Sequence, residues 1–100
     1  MQQLMSIERQ DNEVIGLRFS SWWQQEDIEA LSQQIFAKLP TAKISEHVIG
    51  ADREYFRFRF QQGHFILHFE SYANGCWIEP EDQLSVNIFE QIETLLNSVE

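Results

Sequence analysis

The feature that most constrains this chain is an alternation of phenylalanines. Residues 56–60 read Phe-Arg-Phe-Arg-Phe, and Phe65, Leu67 and Phe69 resume the pattern after a polar break. Period two is the side-chain period of a strand, whereas a helix would throw Phe58 to the side opposite Phe56 and Phe60. Each run therefore sets an apolar face against a second face. That second face carries Tyr55, Arg57 and Arg59 on one run, then His64, Ile66, His68 and Glu70 on the next. With Gln62-Gly63 as the loop, Phe60 pairs with Phe65, Phe58 with Leu67 and Phe56 with Phe69. Arg57 then faces His68, and Tyr55 faces Glu70. A one-residue slip would turn one apolar set outward, so an antiparallel hairpin with a single buried face is predicted. Asn74-Gly75 is a strong signal for a second hairpin. It pairs Ala73 with Cys76, Tyr72 with Trp77, Ser71 with Ile78, and Glu70 with Glu79.

The flanks supply the remaining elements. Residues 4–9 and 13–19 read as short extended segments around the turn-prone pair Asp11-Asn12. In the second, Ile15, Leu17 and Phe19 alternate with Val14, Gly16 and Arg18. Ser21-Trp22-Trp23-Gln24 matches a capping box, and Glu26 and Asp27 follow where carboxylates oppose the positive end of a helix. Ile28, Leu31, Ile35, Phe36 and Leu39 form one stripe at helical spacing, closed by Lys38 and Pro40. Residues 42–50 read as a strand running into the loop Gly50-Ala51-Asp52-Arg53. A two- or four-residue loop would put Ser45, His47 and Ile49 on the Phe face. A three-residue loop would put Ile44, Glu46 and Val48 there. Neither set is clean, which points to a bulge and leaves the register open. Pro80 suits the first position of a last helix, with Glu81 and Asp82 in its first turn. Leu84, Ile88, Ile92, Leu95 and Val99 line that helix, widened by Phe89 and Leu96.

The order is β–(β)–α–β–β–β–β–α. The expected fold is α+β: a two-layer domain over 1–100, with a mainly antiparallel sheet of four to six strands and two helices packed on its Phe face.

Charge narrows the partners. Sixteen acidic residues face seven basic ones, a formal charge of −9. Nucleic-acid binders carry clustered Lys and Arg, so neither nucleic acid nor an anionic membrane is an expected partner. No apolar run approaches the ~20 residues that span a bilayer. The first residues lack the basic and apolar regions of a signal peptide. One cysteine, Cys76, cannot form an internal disulfide, which fits a reducing compartment. The expected location is the cytoplasm.

No nucleophile elbow, phosphate-binding loop, dinucleotide fingerprint or His-Glu-x-x-His motif occurs. Cys76 and Ser71 fall on the Phe face by parity, so neither reads as a nucleophile, and no catalytic residue is assigned. His68 and Glu70 share a face and could ligate a metal, joined by His47 if the bulge brings it beside Arg57. But Arg57 would repel a cation and the set is incomplete, so neither metal nor cofactor is expected. Trp22 and Trp23 cannot both face the core of a regular helix, so one is a candidate contact residue. The face opposite the phenylalanines gathers Tyr55, Arg57, Arg59, His68, Glu70, Tyr72 and Trp77, a mixture suited to recognition.

The stretch Phe56–Glu79, FRFRFQQGHFILHFESYANGCWIE, followed by the Pro80-led terminal helix, resembles small bacterial proteins grouped as a family of unknown function. The resemblance covers most of the chain and implies no activity or site residues.

The reading is a binding module that uses the aromatic–polar sheet face to meet a protein or itself, as a monomer or a homodimer. One alternative is a small-ligand binder or enzyme with Arg57, His68 and Glu70 in a pocket. Another is an acidic inhibitor of a basic partner, acting through Glu26, Asp27, Glu81 and Glu90 on the helices.

Overall fold

A computed structural model describes residues 5–10 and 14–97. Among the described residues, six strands and three α-helices follow one another: β1 Met5–Gln10, β2 Val14–Phe19, α1 Ile28–Ala37, β3 Lys43–Ile49, β4 Arg53–Phe60, β5 Gly63–Glu70, β6 Gly75–Pro80, α2 Gln83–Val86 and α3 Phe89–Leu96. The strands form one antiparallel sheet in the order β1-β2-β6-β5-β4-β3. The fold is α+β, as the alternation predicts. The Asp11-Asn12 turn, Leu4 and Val99 lie outside the described residues.

One face of the sheet meets the helices. Ile15 and Leu17, Phe56, Phe58 and Phe60, Phe65, Leu67 and Phe69, and Cys76 and Ile78 are buried there. Ile28, Leu31 and Ile35 of α1 and Phe89, Ile92 and Leu96 of α3 close over them. The rings interlock: Phe36 packs edge-on against Phe58 at 5.1 Å, and Phe65 stacks between Phe58 and Phe89 at 5.5 and 5.8 Å.

The two hairpin registers differ from those expected. β4 and β5 turn at Gln61-Gln62, so Phe60 faces Gly63, Phe58 faces Phe65 and Phe56 faces Leu67. Tyr55 thereby faces His68, and Arg57 faces Ile66. The positive φ of the turn falls on Gln61, at 57°. Gly63 is needed for space instead, because a Cβ there would lie 2.7 Å from the Phe65 ring and 2.9 Å from Ile88.

β5 and β6 pair Glu70 with Gly75, His68 with Trp77 and Ile66 with Glu79, so Ser71, Tyr72, Ala73 and Asn74 form the turn. Asn74 adopts φ 58°. Its side chain is the reason for the longer loop. The amide oxygen accepts from the Trp23 N–H at 3.0 Å, and the amide nitrogen donates to the Trp23 carbonyl at 2.9 Å. The Glu70 carboxylate accepts from the N–H groups of Tyr72 and Ala73. Glu70 and Glu79 are therefore not the cross-strand pair expected.

The bulge in β3 is present. The register runs Ile49↔Glu54, His47↔Phe56 and Glu46↔Arg57, then skips Ser45 to resume at Ile44↔Phe58. His47 lies across the sheet from His68, not beside Arg57, so the two cannot share a metal.

The helix starts also move. The segment Gln25–Asp27 is a single 3-10 turn, and Asp27 accepts from the Gln24 N–H at 2.8 Å, three residues beyond the expected Ser21 cap. Pro80 ends β6 rather than opening a helix. Asp82 caps α2, accepting from Ser85 N–H at 2.8 Å and from its hydroxyl at 2.7 Å. The Ser85 hydroxyl in turn accepts from His64 N–H at 2.7 Å. Leu84 is exposed, and α2 and α3 are separate helices.

Candidate functional site

The face turned away from the helices carries the residues singled out by the alternation. Register aligns Val48, Tyr55, His68, Trp77, Gly16 and Glu8 across all six strands. Three of these are rings in contact. His68 stacks on Trp77 at 4.8 Å with planes 14° apart, and Tyr55 lies 6.0 Å from His68 at a tilt of 46°. The 4.8 Å separation matches the spacing of neighbouring strands, so the two flat rings stand side by side on adjacent backbones. Glu79 reaches diagonally to His68, its Oε1 2.5 Å from Nε2.

Arg57 occupies the neighbouring row. Its guanidinium lies 5.7 Å from the Tyr55 ring centroid, donates to Glu46 at 2.7 Å and is ion-paired with Glu81. The Glu81 carboxylate, aided by Glu46, raises the Arg57 pKa further, so this cation stays charged. Glu81 thus belongs to the rim of the sheet face and not to a helix surface. Arg59, between Lys43 and His64, is exposed. Tyr72 leaves the strand and projects from the β5–β6 turn, 85% exposed. Of the seven residues read as a binding face, Tyr55, Arg57, His68 and Trp77 form one contacting group. Arg59, Glu70 and Tyr72 lie at its margins.

This face is also where the cations collect. Arg18, Lys43, Arg53, Arg57 and Arg59 all map to it by register, five of the chain's seven basic residues. An acidic protein thereby presents a mixed-charge sheet and an acid-rich helical layer.

A half-open groove of about 640 Å³ cuts into the β2 end of the face. Glu8, Gly16, Arg18, Trp22, Gly75 and Trp77 are among its walls, while Leu17 and Cys76 reach its floor. It forms because β2 and β6 pair at Ile15↔Ile78 and Gly16↔Trp77 and then separate. Arg57, His68 and Glu70 are not among the residues that line it. Trp23 is buried at 2% exposure, edge-on to Phe69, and Trp22 stands 67% exposed at the groove, both in the irregular stretch ahead of the 3-10 turn and not in the helix expected of them.

Sequence reasoning missed two features. One is Glu54, a carboxylate only 7% exposed on the helix side of the sheet, bonded to His47 at 2.6 Å while His47 stacks on Phe56 at 4.0 Å. Its signal was parity, since Glu54 precedes Phe56 by two. The other is the groove, whose signal was a lone glycine, Gly16, inside an alternating strand. Cys76 is buried as expected, and burial pushes its thiol pKa well up, so it stays protonated. Among the described residues, no cluster of three or more metal-ligating side chains forms, and no helix is long and apolar enough to cross a membrane.

No match was found among curated proteins or among solved structures. A family profile described as a protein of unknown function (DUF3630) matches residues 5–97. That span contains every described strand and helix, and the chain belongs to this family of unknown function.

Proposed function

We propose that the chain is a small cytoplasmic binding module that meets a protein partner, or a second copy of itself, through the outer face of its sheet. The observation that carries this reading is the contacting row Tyr55–His68–Trp77 with Arg57 beside it, on a face that no described helix covers. Tyr, Trp and Arg dominate interface hot spots, and here they are part-exposed without being needed by the core. The molecule measures 33 × 30 × 24 Å. A face of that breadth can supply the ~800 Å² per partner of a standard interface. Acidity of −9 argues against nucleic acid and anionic membrane as the partner.

The test is a triple variant, Arg57→Ala, Tyr72→Ala and Trp77→Ala. It should keep a native circular dichroism spectrum and lose association, seen as a fall to monomer in sedimentation velocity or as loss of a bound protein. Association that survives there, but disappears when Glu26, Glu29 and Glu90 are changed to Gln, would move the site to the acidic helices.

A further inference from the structure

The groove at the β2 end holds a feature that the protein-binding reading does not use: one free face of an aromatic ring. Trp77 has two faces. One is covered by His68, nearly parallel at 4.8 Å. The other is turned toward β2, where the residue directly opposite is Gly16, which has no side chain. Gly75, two residues before Trp77 on the same face, lets the indole lie back over the strand, since a Cβ there would come within 3.2 Å of the ring. Beyond Gly16 the next side chain in the row is Glu8. Trp77 and Glu8 therefore stand two strand spacings apart, ~10 Å, with an empty column between them. A flat ring standing on edge over Gly16 fills that column at van der Waals distance from Trp77.

Two polar side chains flank the column. Glu8 accepts hydrogen bonds, and Arg18, two residues along from Gly16, donates them. Neither side chain has a hydrogen-bond or ion-pair partner among the described residues. A ring that stacks on Trp77, gives N–H groups to Glu8 and takes a donor from Arg18 is a planar nitrogen heterocycle with both donors and acceptors on its edge. We infer that the groove binds a planar, nucleobase-like heterocycle, stacked on the free face of Trp77 above Gly16. Arg18 is the one cation among the groove's described walls and Glu8 stands across from it, a balance that favours the uncharged base over its phosphorylated forms.

The two readings share Trp77 and are separated by Gly16→Val and Glu8→Gln, which leave Arg57, Tyr72 and Trp77 in place: these variants should weaken adenine binding and leave protein association unchanged. The experiment is titration with free adenine, read at the Trp77 indole N–H in a two-dimensional NMR spectrum. Methyl glucoside serves as a puckered ring with similar hydrogen-bonding groups. Millimolar adenine should shift the Trp77 signal while the glucoside does not. Gly16→Val fills the column and should weaken binding at least tenfold with an unchanged melt, since a Cβ at Gly16 meets only the Glu8 carbonyl at 3.4 Å. Glu8→Gln, at an exposed strand position, should weaken binding several-fold and serves if the valine variant fails to fold. No adenine shift at Trp77, a stronger shift from the glucoside, or equal adenine binding by both variants would overturn the assignment.

Discussion

The two faces of the sheet are built from the same strands and alternate residue by residue, yet they solve different problems. On the helix side, phenylalanines from four elements, α1, β4, β5 and α3, interlock and exclude water. On the other side, aromatic rings contact one another while remaining part-exposed, among charges that are only partly paired. Burial of apolar area supplies the stability on the first face. Rings and guanidinium groups on the second are free to exchange solvent for a partner. The difference teaches that an aromatic residue in a strand is informative only with its parity: Phe58 and Trp77 are both large, and only Phe58 is spent on folding.

The comparison breaks first at Phe58. It is 1% exposed between Phe36 and Phe65, so Phe58→Ala should cost ~3–5 kcal/mol in urea melts. A loss under about 1 kcal/mol would mean the helix side is not the core.

Next comes the buried polar edge of that same side. His47→Ala leaves the Glu54 carboxylate without its partner, and should cost about 1–3 kcal/mol. Asn74→Ala removes both bonds to the Trp23 backbone while keeping a positive φ, with a loss of similar size, about 1–3 kcal/mol.

Cys76 sharpens the comparison through pH. Its folded pKa is raised above the ordinary 9.0 by burial, so the unfolded thiol ionises first as pH rises. Stability from this group is therefore complete below 9.0 and declines above it. Iodoacetamide should label Cys76 only on unfolding, and rapid labelling of native protein would place it off the core. Asp82 has the opposite sign. Hydrogen bonds from Ser85 hold its carboxyl below the ordinary 3.8, so its contribution is present above that value and fades as pH falls beneath it. A melt insensitive to Asp82→Asn across that acid range would contradict the cap.

The smallest effect belongs to the outer face. Arg59 stands directly between Lys43 and His64, so Arg59→Ala should change stability by no more than about 0.5 kcal/mol.

Much of this contrast was legible in the residues, and the parts that were not share a cause. Which face a strand residue occupies depends only on parity. The β4–β5 pairing differs from expectation by two residues and the β5–β6 pairing by four, and even shifts keep each residue that remains in a strand on its expected face, while Ser71 and Tyr72 pass from the strand into the turn. Pairing partners were not legible because both glycines were read as turn residues. Gly63 and Gly75 instead make room for Phe65 and Trp77, while Gln61 and Asn74 take the positive φ. That exchange depends on the Ile88 side chain at the start of α3 and on the Trp23 backbone, both distant in sequence. The groove was hidden for a similar reason: a Gly16 between two polar columns acquires meaning only once β2 is placed beside β6.

The central claim is that partners meet the sheet face and the helices serve the fold. It is tested most directly by quantitative affinity capture with three forms side by side: wild type, the Arg57/Tyr72/Trp77 alanine triple, and the Glu26/Glu29/Glu90 glutamine triple. The account predicts that the glutamine triple retains the wild-type partner and the alanine triple loses it at unchanged fold. Loss by the glutamine triple with retention by the alanine triple would contradict it.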